Sequence, residues 1–369
     1  MNFNINKYQE RFSRILVTGG AGFIGSCLIR KLLQTTNCRI FNLDKLSYSS
    51  DQSSINNTIK DFCIETERYQ HFKIDLINYE DVKKVLDHSN PDIIFHLAAE
   101  SHVDRSIDNP KPFIKNNIIG TLNLLDNANK YFQKLDQSKS NKFRFINIST
   151  DEVFGSIQSG GFFNEVSQYN PTSPYSASKA SCDHLVNAWF HTYGLPVITT
   201  NCSNNFGPWQ FPEKLIPLTI NKALSEQKIP IYGDGKNIRD WLFVEDHVEA
   251  LLKISFSGKL GQKYCIGGYK EITNLEIVEN ICEKLDVIRP INYSYKDLIN
   301  FVKDRPGHDF RYAVDSSKIE NEIMWKINNS FKQALEDTII WYLNNQTWCK
   351  KVLNKSGYLG ERIGLMDNS

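Results

Sequence analysis

Tyr175 and Lys179 stand four residues apart in the run Pro174-Tyr175-Ser176-Ala177-Ser178-Lys179. If that run is helical, both side chains lie on one face. An ammonium beside a phenol favours the phenolate, and a positive nicotinamide ring nearby adds to the effect, drawing the tyrosine from its usual pKa of about 10 toward neutrality. Such a tyrosine takes a proton from an alcohol. The Y-x-x-x-K spacing also occurs on plain amphipathic helices, so its meaning depends on its company. Ser173 reads as the N-cap, and Pro174 sits where a missing N–H does no harm. The company is Gly19, Gly22 and Gly25, a G-x-x-G-x-x-G that follows the apolar run Ile15 to Val17 and precedes helical spacing through Ile24, Leu28, Ile29 and Leu32. Glycines in that setting let backbone N–H groups and a helix N-terminus approach a pyrophosphate. Asp44 closes the next apolar run. A carboxylate there accepts from both ribose hydroxyls and repels a 2′-phosphate, so the expected cofactor is NAD and not NADP.

These groups need a scaffold, and the chain supplies a periodic one. Apolar runs recur at Ile40 to Leu43, Phe72 to Ile74, Ile93 to Leu97, Phe143 to Ile148 and Val197 to Thr200, separated by helix-like stretches such as Ile119 to Tyr131. Alternating strand and helix predicts an α/β fold, a doubly wound parallel sheet of the Rossmann type. The residues after the runs, Gly19, Asp44, Asp75, Ala98, Thr150 and Asn201, would then converge on one crevice at the carboxyl ends of the strands. Beyond about Phe206 the pattern loosens into loops bearing Pro and Gly, which reads as a smaller substrate lobe. Val244 to Phe256 reads as a helix, and Gln262 to Ile266 as a strand that returns to the first sheet. The expected division is a dinucleotide-binding domain at 14–205 joined by 241–267, a substrate lobe at 206–240 and 268–360, and tails at 1–13 and 361–369.

Composition excludes several classes. Among 369 residues, 43 Lys and Arg face 42 Asp and Glu, a net charge of +1 that gives no field for nucleic acid or an anionic membrane. The eight cysteines are scattered with no C-x-x-C pair, which suits reduced thiols in a cytoplasm. No histidine and cysteine spacing suggests a metal. No apolar stretch is long enough to span a membrane, and Met1 to Arg14 lacks the apolar segment of a signal peptide. A soluble cytoplasmic protein is expected.

The segments TGGAGFIG, LAAESHVDRS, NISTDEVFG, YSASKA and NNFGP give a sharper reading. In this order, over nearly the whole chain, they resemble the extended short-chain dehydrogenases that act on sugar nucleotides. The resemblance implies Thr150 as the hydroxyl partner, Tyr175 as the base and Lys179 as its modulator. On the cofactor side it adds Phe23, Ile24, Lys45, Ala98, Ala99, Ser101 and Asn117 to the glycines and Asp44. Asp75 and Leu76 either face the adenine edge or serve an ordinary helix start. Thr150-Asp151-Glu152 resembles the Thr-Asp-Glu of dTDP-glucose 4,6-dehydratases. Once C4 of a hexose is a ketone, its C5 proton is acidic and the C6 hydroxyl lies β to the carbonyl, so one base and one acid eliminate water. The implied roles are Glu152 on the C5 proton and Asp151 on the departing hydroxyl. Asp151 must then hold a proton near pH 7, which burial and a neighbouring carboxylate provide. Side chains alternate along a strand, so both carboxyls reach one sugar only if the strand has ended before them.

The same resemblance sets Ser149, Asn204, Asn205, Glu213, Lys214, Leu215, Tyr232, Arg239, Asn274, Arg305 and His308 near a nucleotide-diphosphate sugar. Arg239 and Arg305 are the expected pyrophosphate contacts, because planar guanidinium forks engage phosphate oxygens in pairs. His102 reaches the sugar or nicotinamide side, or is a satisfied loop histidine. The resemblance also implies a homodimer through the Lys179 and Ile119 helices, with Ala180, Val186 and Trp189 as its apolar support. A 4-epimerase or decarboxylase on this scaffold, or a non-catalytic NAD-binding regulator, stays open. Such enzymes typically lack the Asp-Glu pair, and such regulators lose the Tyr or Lys.

Overall fold

Runs rich in β-branched and aromatic residues become the strands β1 (Arg14–Thr18), β2 (Arg39–Leu43), β3 (Tyr69–Phe72), β4 (Ile93–His96), β5 (Arg144–Thr150) and β6 (Val197–Cys202). After them come β7 (Asn204–Phe206), β8 (Ile229–Tyr232), β9 (Ile238–Phe243), β10 (Lys263–Ile266), β11 (Glu271–Thr273) and β12 (Ile299–Val302). The computed structural model describes residues 4–157, 160–358, 360 and 363–364. Seven strands form one sheet in the order β10-β6-β5-β4-β1-β2-β3, and every pairing in it is parallel. The winding direction reverses between β1 and β4, which opens a crevice at their carboxyl ends.

Helices cover both faces, so the central strands are apolar on both sides. On one face Leu28, Ile29 and Leu32 of the helix Phe23–Thr35 meet Val248, Leu251 and Leu252 of the helix Val244–Ser257. On the other, Val82, Val85, Leu86, Leu124, Leu125, Ala128 and Val186 come from the helices Tyr79–Ser89, Gly120–Phe132 and Pro174–Tyr193. A second core, around Ile220, Ile277, Ile281 and Tyr342, joins the helices Leu215–Leu224, Asn274–Ile288 and Phe331–Asn344 to the small sheets β11-β9-β7 and β12-β8. This lobe overhangs the crevice. No helix among the described residues is long and apolar enough to cross a membrane, and no group of three acidic, histidine or cysteine side chains among them could hold a metal.

Several sequence-based boundaries move. β3 ends at Phe72 instead of running to Ile74, because Ile74 N–H folds back on the Phe72 carbonyl at 3.0 Å. Asp75 therefore sits in the turn beyond the strand. Thr150 is the last residue of β5, and Asn201 lies inside β6. Within the expected tail 1–13, Ile5–Arg11 is a helix, because Tyr8 and Phe12 are completely buried in the core, with the Tyr8 ring against Phe256. In the expected tail 361–369, only 363 and 364 fall within the described residues, and Gly364 N–H donates to Asp108 at 2.8 Å. Ala180 and Val186, taken as support for an intersubunit contact, are buried in the chain's own core.

The turn after β1 depends on missing side chains. Gly19 has φ +70°, and a Cβ there would lie 2.6 Å from the Ala98 backbone. A Cβ at Gly25 would lie 2.3 Å from the Gly19 carbonyl. Gly194, at the end of the helix Pro174–Tyr193, also has φ +70° but faces open space. Gly194→Ala is expected to lower the unfolding free energy by about 1 kcal/mol, the cost of a left-handed L-residue. Gly19→Ala should cost more than that, roughly 2–3 kcal/mol, because strain and collision add. Urea unfolding of both variants measures the difference, and equal losses would mean that the approach to Ala98 does not matter.

Candidate active site

β5 stops at Thr150, and the chain turns at once into the 3₁₀ turn Asp151–Phe154. That turn releases Asp151 and Glu152 from strand alternation and lets both line one cleft. The Thr150 hydroxyl accepts from Glu152 N–H at 3.3 Å and donates to Asp151 Oδ1 at 3.3 Å. Asp151 is 1% exposed, and its Oδ2 has no hydrogen-bond partner among the described residues. Burial, with Glu152 and Asp240 nearby, holds its pKa well above the ordinary carboxyl value. Burial also raises Glu152, against the pull of Arg305, Lys214 and Arg239.

The helix Pro174–Tyr193 begins where Ser173 and Ser176 cap each other reciprocally, with Pro174 in the first turn. It delivers Tyr175 and Lys179 to the same cleft. Lys179 Nζ donates to the Ile148 carbonyl at 2.8 Å, near the end of β5. The expected shift of the Tyr175 phenol toward neutrality combines Lys179 with a positive nicotinamide ring, and the chain's own groups act in the other direction. Burial and the Glu152 carboxyl raise it well above the usual value, and the Thr150 hydroxyl works only partly against them. A positive charge from outside the chain is needed to favour the phenolate.

At the other end, Gly22 is the N-cap of the helix Phe23–Thr35, so Gly19, Phe23, Ile24 and Gly25 line the cleft where the helix begins. Backbone N–H groups of Ala21 and Leu46 hold the two Asp44 oxygens at 2.9 and 2.8 Å. Lys45 Nζ lies 3.5 Å from Asp75 and 3.4 Å from Glu100, so Asp75 is an ion-pair partner here. Asn117 does not line the cleft. It is buried behind it, donating to Ser178 Oγ at 2.8 Å and accepting from Glu100 N–H at 2.8 Å.

The lobe closes the cleft from above. Arg239 is held by its lobe: Nη1 donates to Ile238 O at 2.8 Å and Phe310 O at 3.3 Å, Nη2 to Asp309 O at 3.0 Å, and the guanidinium lies 4.5 Å from the Tyr312 ring centre. Arg305 Nη1 pairs with Asp104, and its buried Nε has no partner among the described residues. Both expected phosphate forks line the cleft. Tyr48 and Arg105 hold Glu213 at 2.8 and 3.1 Å. Lys214 Nζ donates to Ser101 O at 2.8 Å, and Tyr232 donates to Asp104 at 3.1 Å. His102 is 3.8 Å from Glu213, yet burial with Lys214, Arg105 and Arg305 nearby pushes it well below its ordinary value. It is a neutral imidazole. His308, bonded to Asp304 at 2.6 Å, is pushed down to about 3 by burial and by Arg305 and Arg239.

The cleft measures about 440 Å³ and brings together every sequence-expected site residue except Asn117, with Leu76, Ala98, Ala99, Ser149, Asn204, Asn205, Leu215 and Asn274 also on its wall. Residues 16–338 match the family model described as GDP-mannose 4,6 dehydratase. The chain belongs to this family. It is 49% identical over 358 residues to the dTDP-glucose 4,6-dehydratase of Neisseria meningitidis serogroup B, covering 95% of this chain and 99% of that one. The crystal structure of DesIV, a dTDP-glucose 4,6-dehydratase from Streptomyces venezuelae with NAD and TYD bound, superposes with a TM-score of 0.83 at 37% identity, covering 92% of this chain and 99% of that one. The dTDP-glucose 4,6-dehydratase of Bacillus anthracis, in complex with NAD, gives a TM-score of 0.80 at 40% identity over 92% of this chain and 99% of that one.

Sequence reasoning passed over Glu100, Asp104, Cys202, Gln210 and Tyr312, which also line the cleft. Glu100 and Asp104 flank the chosen Ser101 and His102, so the motif was in view and its acids were not. Tyr48 and Tyr312 reach the site through long-range packing, for which a single sequence carries no signal.

Because the folded state raises Asp151 above its unfolded carboxyl value of about 3.8, the fold gains nothing from this group at high pH. Its penalty is absent below the unfolded value, grows as pH rises toward the folded value, and persists above it. Asp151→Asn should therefore be more stable than the parent at pH 8 and gain no such advantage at pH 4. Urea unfolding at the two pH values checks this, and a variant that loses stability at pH 8 would contradict it.

Proposed function

We propose that the chain dehydrates a nucleotide-diphosphate glucose, dTDP-glucose in the first place, to the 4-keto-6-deoxy sugar with NAD as resident cofactor. The observation that carries this reading is the pair Asp151 and Glu152, just past the end of β5 on the cleft wall they share with Thr150, Tyr175 and Lys179. The relatives named above carry this activity in their names.

The cofactor end fits NAD. The glycine turn leaves room that a Cβ at Gly19 or Gly25 would fill, the helix start at Phe23 offers N–H groups to a pyrophosphate, and the fixed Asp44 carboxylate suits a ribose diol and opposes a 2′-phosphate. When bound, NAD accepts hydrogen with its electron pair from C4 and returns it to C6, so the net redox change is zero. The chain's residues do the rest. Thr150 and Tyr175 orient the C4 hydroxyl and Tyr175 takes its proton, with Lys179 one turn along the same helix as its modulator. Glu152 takes the C5 proton. Asp151, kept protonated by its surroundings, gives a proton to the C6 hydroxyl, and water leaves. Arg239 and Arg305, both on the cleft wall, are the cations we assign to the diphosphate. We assign Asn117 to support of the wall rather than to cofactor contact. A homodimer is the assembly we propose, with exposed Ile114 and Ile119 at the head of the helix Gly120–Phe132 as the apolar contact.

Incubation with dTDP-glucose should yield a product lighter by one water, about 18 mass units, with no external reductant. Tyr175→Phe should lower kcat by about 100-fold or more, through loss of the general base. Asp151→Asn and Glu152→Gln should slow water loss by a similar factor while still permitting oxidation at C4. Mass spectrometry of quenched reactions resolves these cases. Epimerised or decarboxylated product without loss of water would contradict the proposal.

A further inference from the structure

One buried charge close to the reacting groups has no part in the chemistry above. Asp183 follows Lys179 by one helical turn and Tyr175 by about two, and it is 4% exposed. Its Oδ1 accepts from Asn147 Nδ2 at 2.8 Å. Its Oδ2 accepts from Tyr169 Oη at 2.9 Å and from Asn201 Nδ2 at 3.1 Å. Asn147 lies in β5, and Asn201 in β6 opposite Ser149. The Asn201 amide also donates to the Thr150 carbonyl at 3.1 Å. One carboxylate thus ties the helix that carries the base to both strands that frame Thr150.

The arrangement is specific for an anion. Asn147 and Asn201 turn their NH₂ groups to the carboxylate, and their own Oδ1 atoms have no partner among the described residues. Leaving two buried acceptors unpaired is unfavourable, and only a partner that accepts and never donates offsets it. Between these anchors, Lys179 Nζ rests on the Ile148 carbonyl at 2.8 Å. Burial raises the Asp183 carboxyl while the Lys179 ammonium pulls it back.

We propose that Asp183 is a positioning residue, which locks the helix Pro174–Tyr193 to β5 and β6 and so sets the Tyr175 phenol and Lys179 ammonium against Thr150 for removal of hydrogen from C4. The proposal rests on the dehydratase reading. It assigns Asp183 to the oxidation step and not to the elimination of water. An amide in its place keeps the shape but points a donor at one of three donors, and an error of about an ångström in such an alignment slows a reaction roughly 100-fold.

The test uses the full-length holoenzyme with dTDP-glucose carrying either hydrogen or deuterium at C4. Asp183→Asn is expected to lower kcat by roughly 10- to 100-fold, to leave KM within about twofold, and to raise the isotope effect on kcat above that of the parent. Tyr169→Phe, which keeps the carboxylate and both amide donors, should move kcat and isotope effect in the same direction by less. Should Asp183→Asn fail to fold by circular dichroism, Tyr169→Phe decides by the same criteria. A fall in kcat that follows the folded fraction, with an unchanged isotope effect, overturns the proposal in favour of a purely structural role. An unchanged kcat overturns it as well. Failure of the parent enzyme to release a product lighter by water would instead sink the dehydratase reading, so the two failures are distinct.

Discussion

Two carboxyl groups on consecutive residues, Asp151 buried and Glu152 half-buried where β5 gives way to a 3₁₀ turn, resist carrying full charge together. The rest of the site is arranged around that constraint. The acid raised further, with an unpaired oxygen, is Asp151, next to Glu152 and Asp240. The acid that faces the cations is Glu152, under the influence of Arg305, Lys214 and Arg239. Neighbouring residues of similar chemistry are thus driven apart in proton affinity by surroundings alone, and the difference divides acid from base. Had β5 run one residue further, strand alternation would have sent the two side chains to opposite faces.

The positions of the remaining groups follow from what is tied to β5. The helix Pro174–Tyr193 is fastened to it through Lys179 and Asp183, and β6 beside it is fastened through Asn201. The lobe places Arg305 and Lys214 close enough to act on Glu152. At the far end of the same sheet edge, the glycine turn and Asp44 form a second station, joined to the first by a continuous cleft. A parallel doubly wound sheet makes this economical, since every strand delivers its carboxyl end to one rim.

Much of this was legible in the chain. The glycine turn, Asp44, the Tyr175 and Lys179 spacing and the Thr150-Asp151-Glu152 run are local patterns whose geometry follows from the element that carries them. The requirement that the strand end before both acids could be stated in advance, because it follows from the period of a strand. What stayed hidden depends on groups distant in sequence. The high proton affinity of Tyr175 comes from burial and from Glu152. The guanidinium of Arg239 is held by carbonyls from a loop some seventy residues away. Tyr48 and Arg105 converge on Glu213 from separate parts of the chain. The N-terminal helix was missed because its apolar content is only a few residues, though Tyr8 and Phe12 are enough to anchor it. In each case the residue type was visible and its partner was not.

The fold itself, without substrate, favours the protonated form of the Asp151 carboxyl. Infrared difference spectroscopy between the parent protein and Asp151→Asn at pH 7 tests this directly. The account predicts a protonated-carboxyl C=O band in the parent that the variant lacks. A difference spectrum containing only carboxylate bands would contradict it.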